Sequence, residues 1–258
     1  MSVPGLQLLG GVAGAARSLP SFVAASVSAI WDPTNGDAVA AVGEITAATA
    51  LEQMKQSMMA ERTGRMILQG QPRVTDDTLA FASQQPAGTF GHRYALYMDH
   101  NHFLPSGRTP VTRIADPVLA YVMQRYRETH DFVHACTGCG RTVEEELAVK
   151  LLEWRHTGLP LGLLAVLGGM PWLNVQQMRN MALYKEWAEL NAPSQRHDQR
   201  RIPCILNVPW ESYLDKPFEA LLEDVGITPI DVFLQERRGQ TTAETDTGAL
   251  DNSRVEPQ

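Results

Sequence analysis

Two histidines and two carboxylates occupy a spacing that could hold a divalent metal. The segment His130-Asp131-Phe-Val-His134 is followed, after eleven intervening residues, by Glu146. In a helix, residues 130 and 134 lie on one face, so both imidazoles would point the same way. Imidazole nitrogens and carboxylate oxygens are ligands that zinc, iron and manganese accept. The segment therefore predicts a metal site formed by all four residues. The residue types alone leave open the alternative of two buried histidines with protein partners and two acids at caps or on the surface.

Other kinds of site fit these residues less well. Zinc proteases carry Glu where Asp131 stands, and the shorter Asp side chain would struggle to reach a metal-bound water. A His-Asp phosphohydrolase needs further distant ligands, for which His92 and His100 could be proposed, but nothing around them supports that role. Cys136-Thr-Gly-Cys139 has zinc-ligand or redox spacing, but no second cysteine pair is present, so we interpret it as structural.

Two successive helices are predicted to position the four residues. Asp116 and Pro117 are a favourable N-cap and first residue for a helix that ends before Gly138. Thr142, with Glu145 three residues later, forms a capping box that begins the next helix. Because the connection is short and contains glycine, we expect an antiparallel hairpin, which would bring the start of the second helix back beside the histidines.

The remaining segments predict a mainly α-helical fold with a single domain. Apolar residues recur at helical spacing over Gly36–Met59, Val175–Asn191 and Phe218–Val225. Thr63–Gly91 and Met98–Pro110 carry few periodic signals and several turn residues, which favours loops.

Three regions are expected along the chain. Residues 1–20 are predicted to form a flexible or targeting N-terminus, residues 21–239 the helical domain, and residues 240–258 a disordered acidic tail.

Composition excludes several classes of protein. The 258 residues include 22 Lys and Arg against 29 Asp and Glu, a formal net charge of −7, with no basic run. Nucleic acid is therefore not expected as a partner, because phosphate neutralisation supplies most of that affinity. Three cysteines are too few for a disulfide framework. The most apolar stretch, Leu159–Leu173, is interrupted by glycine and proline and is shorter than the about 20 residues that span a bilayer. A soluble or peripheral protein is predicted.

Several further stretches match one family pattern together with the metal segment. They are Asp37-Ala-Val-Ala-Ala-Val-Gly-Glu44, Gly88-Thr-Phe-Gly91, Leu119-Ala-Tyr-Val-Met-Gln-Arg-Tyr-Arg-Glu128, Thr157-Gly-Leu-Pro160, Trp210-Glu211 and Leu214-Asp-Lys-Pro-Phe218. With His130, Asp131, His134 and Glu146 they resemble the coenzyme Q protein four family of ubiquinone biosynthesis. The resemblance runs from about Phe22 to Ile230.

The resemblance implies a location, partners and a cofactor. Proteins of this family are α-helical and peripheral on the matrix side of the mitochondrial inner membrane, in a complex with other ubiquinone biosynthesis proteins. The resemblance implies a divalent cation, most often zinc, bound by His130, Asp131, His134 and Glu146, with Fe²⁺ and Mn²⁺ as alternatives that this ligand set accepts.

Two hypotheses on activity stay open. The resemblance implies decarboxylation at C1 of a polyprenylated 4-hydroxybenzoate-type precursor, namely a 4-hydroxy-3-methoxy-5-polyprenylbenzoate decarboxylase, either plain or with hydroxyl replacing carboxyl. The alternative is a non-catalytic, lipid-binding scaffold that assembles and stabilises the complex. In the enzyme, either Asp131 or Glu146 could transfer the proton to the ring carbon. Leu159–Leu173 and Met54–Met59 are hypothetical walls for the polyprenyl tail, and a homo-oligomer is also considered.

Overall fold

The described part of the chain is helical throughout. The structure is a computed structural model that describes residue 44, residues 47–193 and residues 202–239. Its α-helices are α1 (Ala48–Ala60), α2 (Arg62–Gly70), α3 (Asp76–Ser83), α4 (Phe90–His100), α5 (Pro117–Thr137), α6 (Val143–Thr157), α7 (Pro160–Gly169), α8 (Val175–Leu190) and α9 (Phe218–Val225). Residues 230–239 are also helical, and no strand occurs in the described ranges. The prediction of a mainly α, single helical domain is confirmed.

The two helices that carry the metal segment begin and end at the residues expected. Asp116 caps α5 by accepting hydrogen bonds from the backbone N–H groups of Val118 and Leu119, at 2.8 and 3.0 Å. Gly138 ends α5 with a φ of 72°. The capping box of Thr142 begins α6. These contacts satisfy backbone groups that would otherwise lack partners at the helix ends. The antiparallel hairpin of α5 and α6 stays a prediction.

The prediction of loops over Thr63–Gly91 and Met98–Pro110 is wrong in part. The first segment contains α2 and α3, and α4 extends from it into the second. Capping side chains stabilise the starts of α3 and α4. Thr75 forms a capping box at α3, and Thr89 accepts a hydrogen bond from His92 N at 3.2 Å at the start of α4.

The apolar stretch Leu159–Leu173 contains a helix, α7, despite its glycines. A Cβ added to Gly162 would lie 2.6 Å from the carbonyl oxygen of Lys150, and one added to Gly169 would lie 2.7 Å from a methyl carbon of Leu147. The two glycines therefore allow α7 to pack closely against α6. Gly162 is thus a packing residue inside α7, and Gly169 packs against α6 where α7 ends.

Buried apolar residues form two clusters. The larger core includes Phe90, Phe132, Leu152, Trp187 and Trp210. Its other members come from α3 to α9, the segments after α8 and residues 230–233.

The smaller core joins α1 and α2 to the first half of α5. It includes Leu51, Met54, Met58, Val122 and Tyr126. Met54 and Met58 are 2% and 0% exposed, so these two side chains line no open groove.

Three of the predicted features fall wholly or partly outside the described residues. They are the region 1–20, the acidic tail 240–258 and the part of the helix Gly36–Met59 that precedes α1. Of the helices that are described, none combines the length and the apolar character needed to cross a membrane.

Candidate metal centre

Three side chains from α5 and α6 direct donor atoms to one point. The Nε2 atoms of His130 and His134 are 3.2 Å apart. The carboxylate of Glu146 spans them, with one oxygen 3.4 Å from His130 Nε2 and the other 3.1 Å from His134 Nε2. One donor atom from each residue lies within 4.8 Å of the others. The two rings are nearly perpendicular, at 89°, which turns both Nε2 atoms toward the carboxylate.

The second nitrogen of each imidazole is held by a protein acceptor. His134 Nδ1 is 3.0 Å from the carbonyl oxygen of Cys139, and since a carbonyl only accepts, Nδ1 carries the proton. His130 Nδ1 is 2.6 Å from a carboxylate oxygen of Glu153, to which it donates. These two contacts turn both Nε2 atoms toward Glu146, where each could offer its lone pair to a bound cation. Metal-binding histidines are held in this way, with the other nitrogen bonded to a carboxylate or carbonyl.

Tyr97 fixes the ring plane of His134. The two rings stack with centroids 5.1 Å apart and an angle of 17° between planes. His134 is 1% exposed, so its ring lies between Tyr97 and the protein interior. The stacking on Tyr97 and the hydrogen bond to Cys139 both restrict rotation of the His134 ring.

Lys150 and Glu153 form a charged pair directly behind His130. The Lys150 ammonium lies 2.9 Å from one oxygen of Glu153, and Tyr126 donates to the same oxygen at 2.7 Å. Glu153 is 1% exposed, and each oxygen of its carboxylate has a partner. A buried carboxylate that receives several charged or polar hydrogen bonds can stay ionised.

The electrostatics favour ionised carboxylates in the centre. Burial opposes ionisation of Glu146, but His130, His134 and Lys150 hold the pKa of Glu146 well below its usual value. Burial and Lys150 both lower the pKa of His130, yet the negative charges of Glu153 and Glu146 outweigh them and raise it to about 9. The centre therefore attracts positive charge, whether a proton or a metal ion.

Asp131 does not join the other three residues. Its side chain is 3% exposed and forms an ion pair with Arg108, which comes from the segment before α5. The structure thus brings together His130, His134 and Glu146 and directs Asp131 elsewhere. The assignment of the four residues as metal ligands stays a prediction.

Sequence reasoning missed the residues that hold the histidines. Lys150 and Glu153 follow Glu146 by four and seven residues, so helical spacing already places all three on one face of α6. That signal was available from the sequence. Arg108 lies in an irregular segment, and no local pattern links it to Asp131.

The chain was compared with known families. The model of the family described as Coenzyme Q (ubiquinone) biosynthesis protein Coq4 matches residues 14–231. The chain belongs to the Coq4 family. The resemblance stated from the sequence is thereby confirmed, and the family acts in ubiquinone biosynthesis.

Relatives from three organisms illustrate the range of similarity to this Coq4 chain. A mitochondrial ubiquinone biosynthesis protein COQ4 homolog 1 of Trypanosoma cruzi is 72% identical over 237 residues, covering 92% of this chain and 94% of that protein. The COQ4 homolog of Trypanosoma brucei brucei is 62% identical, covering 90% of this chain and 94% of its own length. The Xenopus tropicalis homolog is 36% identical and covers 83% and 75% respectively.

A solved structure shares the fold. The crystal structure of a putative ubiquinone biosynthesis protein from Nostoc punctiforme superposes with a TM-score of 0.61 at 16% identity. The match covers 80% of this chain and 97% of that one. The likeness supports the helical architecture of the Coq4 domain.

The residues present fit a divalent metal. Two neutral imidazole nitrogens and one carboxylate are a ligand set that zinc, iron and manganese accept. The donor atoms lie within 4.8 Å of one another, and the other nitrogen of each imidazole is held by a protein acceptor, as in metal-binding histidines. His130, His134 and Glu146 are the residues that would hold the ion.

Proposed function

We propose that this protein acts in ubiquinone biosynthesis as a metal-dependent decarboxylase. Its substrate is a polyprenylated 4-hydroxybenzoate-type precursor, from which the C1 carboxyl leaves as carbon dioxide. In the plain reaction the bond between ring and carboxyl breaks, and the electron pair left on the ring takes a proton. Replacement by hydroxyl would require dioxygen and two electrons as well.

The number and exposure of the converging donors carry this proposal. Three side chains converge, and the side chain of Glu146 is 36% exposed while His134 is buried. Structural zinc sites are closed by four protein ligands, whereas catalytic sites have three and leave a position for water or substrate. A three-donor centre that is open on the Glu146 side favours catalysis over a purely structural ion.

Each residue of the centre has a part in this proposal. A divalent metal, with zinc the first choice, would act as a Lewis acid on the charge that develops as carbon dioxide leaves. His130, His134 and Glu146 hold the ion, and Glu153 and the Cys139 carbonyl orient the imidazoles. Buried side chains behind the histidines exclude water from one side, which strengthens electrostatic interactions there.

Glu146 is the better candidate for proton transfer. Asp131 is buried and paired with Arg108, whereas Glu146 reaches solvent. A carboxylate oxygen of Glu146 can therefore accept a hydrogen bond from a water molecule and position it to give a proton to a ring carbon beside the histidines.

The relatives' names support the cellular setting of this proposal. The trypanosomal and amphibian relatives are named mitochondrial. We place the protein on the matrix side of the inner mitochondrial membrane, as a peripheral protein in contact with other ubiquinone biosynthesis proteins.

The experiment combines metal analysis with carbon dioxide release. Wild type, His134→Ala, Glu146→Gln and the control His100→Ala, an exposed histidine at the end of α4, are purified and analysed by elemental mass spectrometry. Each is then incubated, with and without dioxygen, with a prenylated 4-hydroxybenzoate labelled with ¹³C in the carboxyl. We expect stoichiometric metal and labelled carbon dioxide from wild type and His100→Ala, and neither from His134→Ala.

Two outcomes contradict the proposal. Metal without release of labelled carbon dioxide under any condition favours the lipid-binding scaffold. Absence of metal from the wild type, with no rebinding on titration, removes the metal centre itself.

A further inference from the structure

The side chain of Asp131 is directed to Arg108 in this structure. Asp131 is 3% exposed, and its carboxylate accepts a hydrogen bond from an Nη atom of the Arg108 guanidinium. Asp131 contributes no atom to the group formed by His130, His134 and Glu146. In this structure the partner of the Asp131 carboxylate is the guanidinium of Arg108.

The segment that begins at Arg108 lies along one face of α5, beside the metal centre. Arg127 donates to the Thr109 carbonyl at 3.1 Å, and Val111 N donates to the Gln124 side chain at 3.4 Å. Positions 124, 127, 131 and 134 of α5 are spaced by three or four residues and therefore form one stripe. Arg108 contacts this stripe at Asp131, which lies about one helical turn from His134.

The guanidinium of Arg108 retains donors for another anion. It has five N–H groups, and the carboxylate of Asp131 is its sole hydrogen-bond acceptor among residues 44, 47–193 and 202–239. The Arg108 side chain is 24% exposed, so part of it is open to solvent. An arginine that one buried carboxylate holds in place, and that is partly exposed to solvent, is suited to bind a second carboxylate.

We propose that Arg108 binds the carboxylate of the substrate and that Asp131 positions Arg108. This inference rests on the proposed function, which supplies an aromatic acid as substrate. Arg108 would select the acid over its decarboxylated product and hold the carboxyl carbon beside the metal centre. The product, which lacks the carboxylate, would then bind less tightly and leave.

The test compares two ligands that differ only in the carboxyl group. A prenylated 4-hydroxybenzoate and the corresponding prenylphenol are titrated into the metal-loaded full chain, and the ratio of their dissociation constants is measured. Arg108→Gln should weaken binding of the acid about tenfold or more and leave the phenol unchanged. Arg108→Lys keeps a positive charge beside Asp131 and hence the fold, but it loses the planar guanidinium. Its ratio of dissociation constants should therefore lie between those of wild type and Arg108→Gln.

Matched variants separate this role from metal binding and from general charge effects. Arg113→Gln removes an exposed arginine from the same segment and should keep the wild-type ratio. Asp131→Asn should lose most of the preference for the acid, and comparison at equal metal content separates this loss from any effect on metal binding. A preference for the acid that survives in Arg108→Gln would overturn the proposal.

The outcomes also distinguish this inference from the proposed function. Selective, Arg108-dependent binding of the acid with no release of carbon dioxide would retain the carboxylate site and reject the decarboxylase. Release of carbon dioxide by wild type with an unchanged ligand preference in Arg108→Gln would retain the decarboxylase and reject the carboxylate site at Arg108.

Discussion

Glu153 controls the metal centre although none of its atoms faces the metal position. It accepts the Nδ1 proton of His130 at 2.6 Å and thereby sets which nitrogen of that ring is left as a lone pair. Its charge also makes the imidazole a stronger donor toward a cation.

Replacing Glu153 should weaken metal binding without removing a ligand. In Glu153→Gln the carboxylate charge beside His130 is lost, and we expect the metal affinity to fall about tenfold or more. Competition with a chelator of known affinity measures the change. Tyr126→Phe is the control, because it removes only the bond to the other oxygen of Glu153. Equal affinities in Glu153→Gln and wild type would contradict the orienting role.

The site could be predicted from local spacing but not from contacts between distant segments. His130, His134 and Glu146 were found because a helical period and a short connection place them together. Arg108 is 23 residues before Asp131 and reaches it through an irregular segment. No local rule pairs two such residues, so the ion pair between Arg108 and Asp131 could not be predicted from the sequence.

At the level of elements, left-handed glycines end both helices of the centre. Gly138 ends α5 with φ of 72°, and Gly158 ends α6 with φ of 66°. The nearest atoms to an added Cβ lie 3.9 Å away at either position. A substitution with alanine would therefore be strained by the backbone conformation alone.

The two glycines should respond alike in stability and differently in metal binding. Gly138→Ala and Gly158→Ala should each destabilise the fold by about 1 to 2 kcal/mol, measured by denaturant unfolding. Only Gly138→Ala should also lower metal affinity, because the next residue, Cys139, supplies the carbonyl that holds His134. A similar loss of metal affinity in both variants would show a general effect of stability.

His156 connects three elements and should make stability depend on pH. Its Nε2 lies 2.8 Å from the carbonyl of Asn191, and its Nδ1 accepts from Ile205 N at 3.3 Å. Burial lowers the pKa of His156 to about 4, below its unfolded value of about 6.5. Its contribution is therefore present above pH 6.5 and lost as the pH falls toward 4.

The size of this effect can be measured by unfolding at two pH values. Between pH 7 and pH 4 the wild type should lose about 3 kcal/mol of unfolding free energy through this one group. His156→Asn should be less stable at pH 7 but should lack that part of the loss. If the wild type and the variant lose the same free energy over this range, His156 is not the titrating group.

Helices were predictable where their caps and periods agree. α5 and α6 have marked caps at their starts, and the bounds of α5, α6, α8 and α9 were anticipated within a residue or two. α2 and α3 are stabilised by packing over a short length, which leaves little pattern in the sequence. α7 was not predicted for another reason. Glycine usually disfavours a helix, but Gly162 and Gly169 allow α7 to pack closely against α6.

At the level of the whole molecule, all three thiols are enclosed. Cys136 and Cys139 lie in the larger core and Cys204 in the smaller one. Burial raises the pKa of the first two thiols to about 12 and that of Cys204 to about 11. Because the thiolate is the reactive form, none of them should react quickly in the native state.

Alkylation of the thiols should therefore report opening of the two cores. At pH 8 we expect iodoacetamide to label the folded protein at least about a hundred times more slowly than the unfolded chain, as followed by mass spectrometry. Removing the metal with a chelator should speed labelling of Cys139 more than that of Cys204. Fast labelling of Cys139 in the metal-loaded protein would contradict its enclosure.

α5 packs in both cores of the described residues, and His130 lies where the two cores meet along it. The first half of α5, through Tyr126, packs in the smaller core, and its second half, from Phe132, packs in the larger one. His130 lies between them, so the rotation of α5 at the ligands depends on both packing environments at once. A substitution in either core that turned this helix by a few degrees would misalign the donors without unfolding the chain. Inherited or engineered variants of this kind would show near-normal melting temperatures and normal abundance but fail to retain metal, although the altered residue touches no ligand.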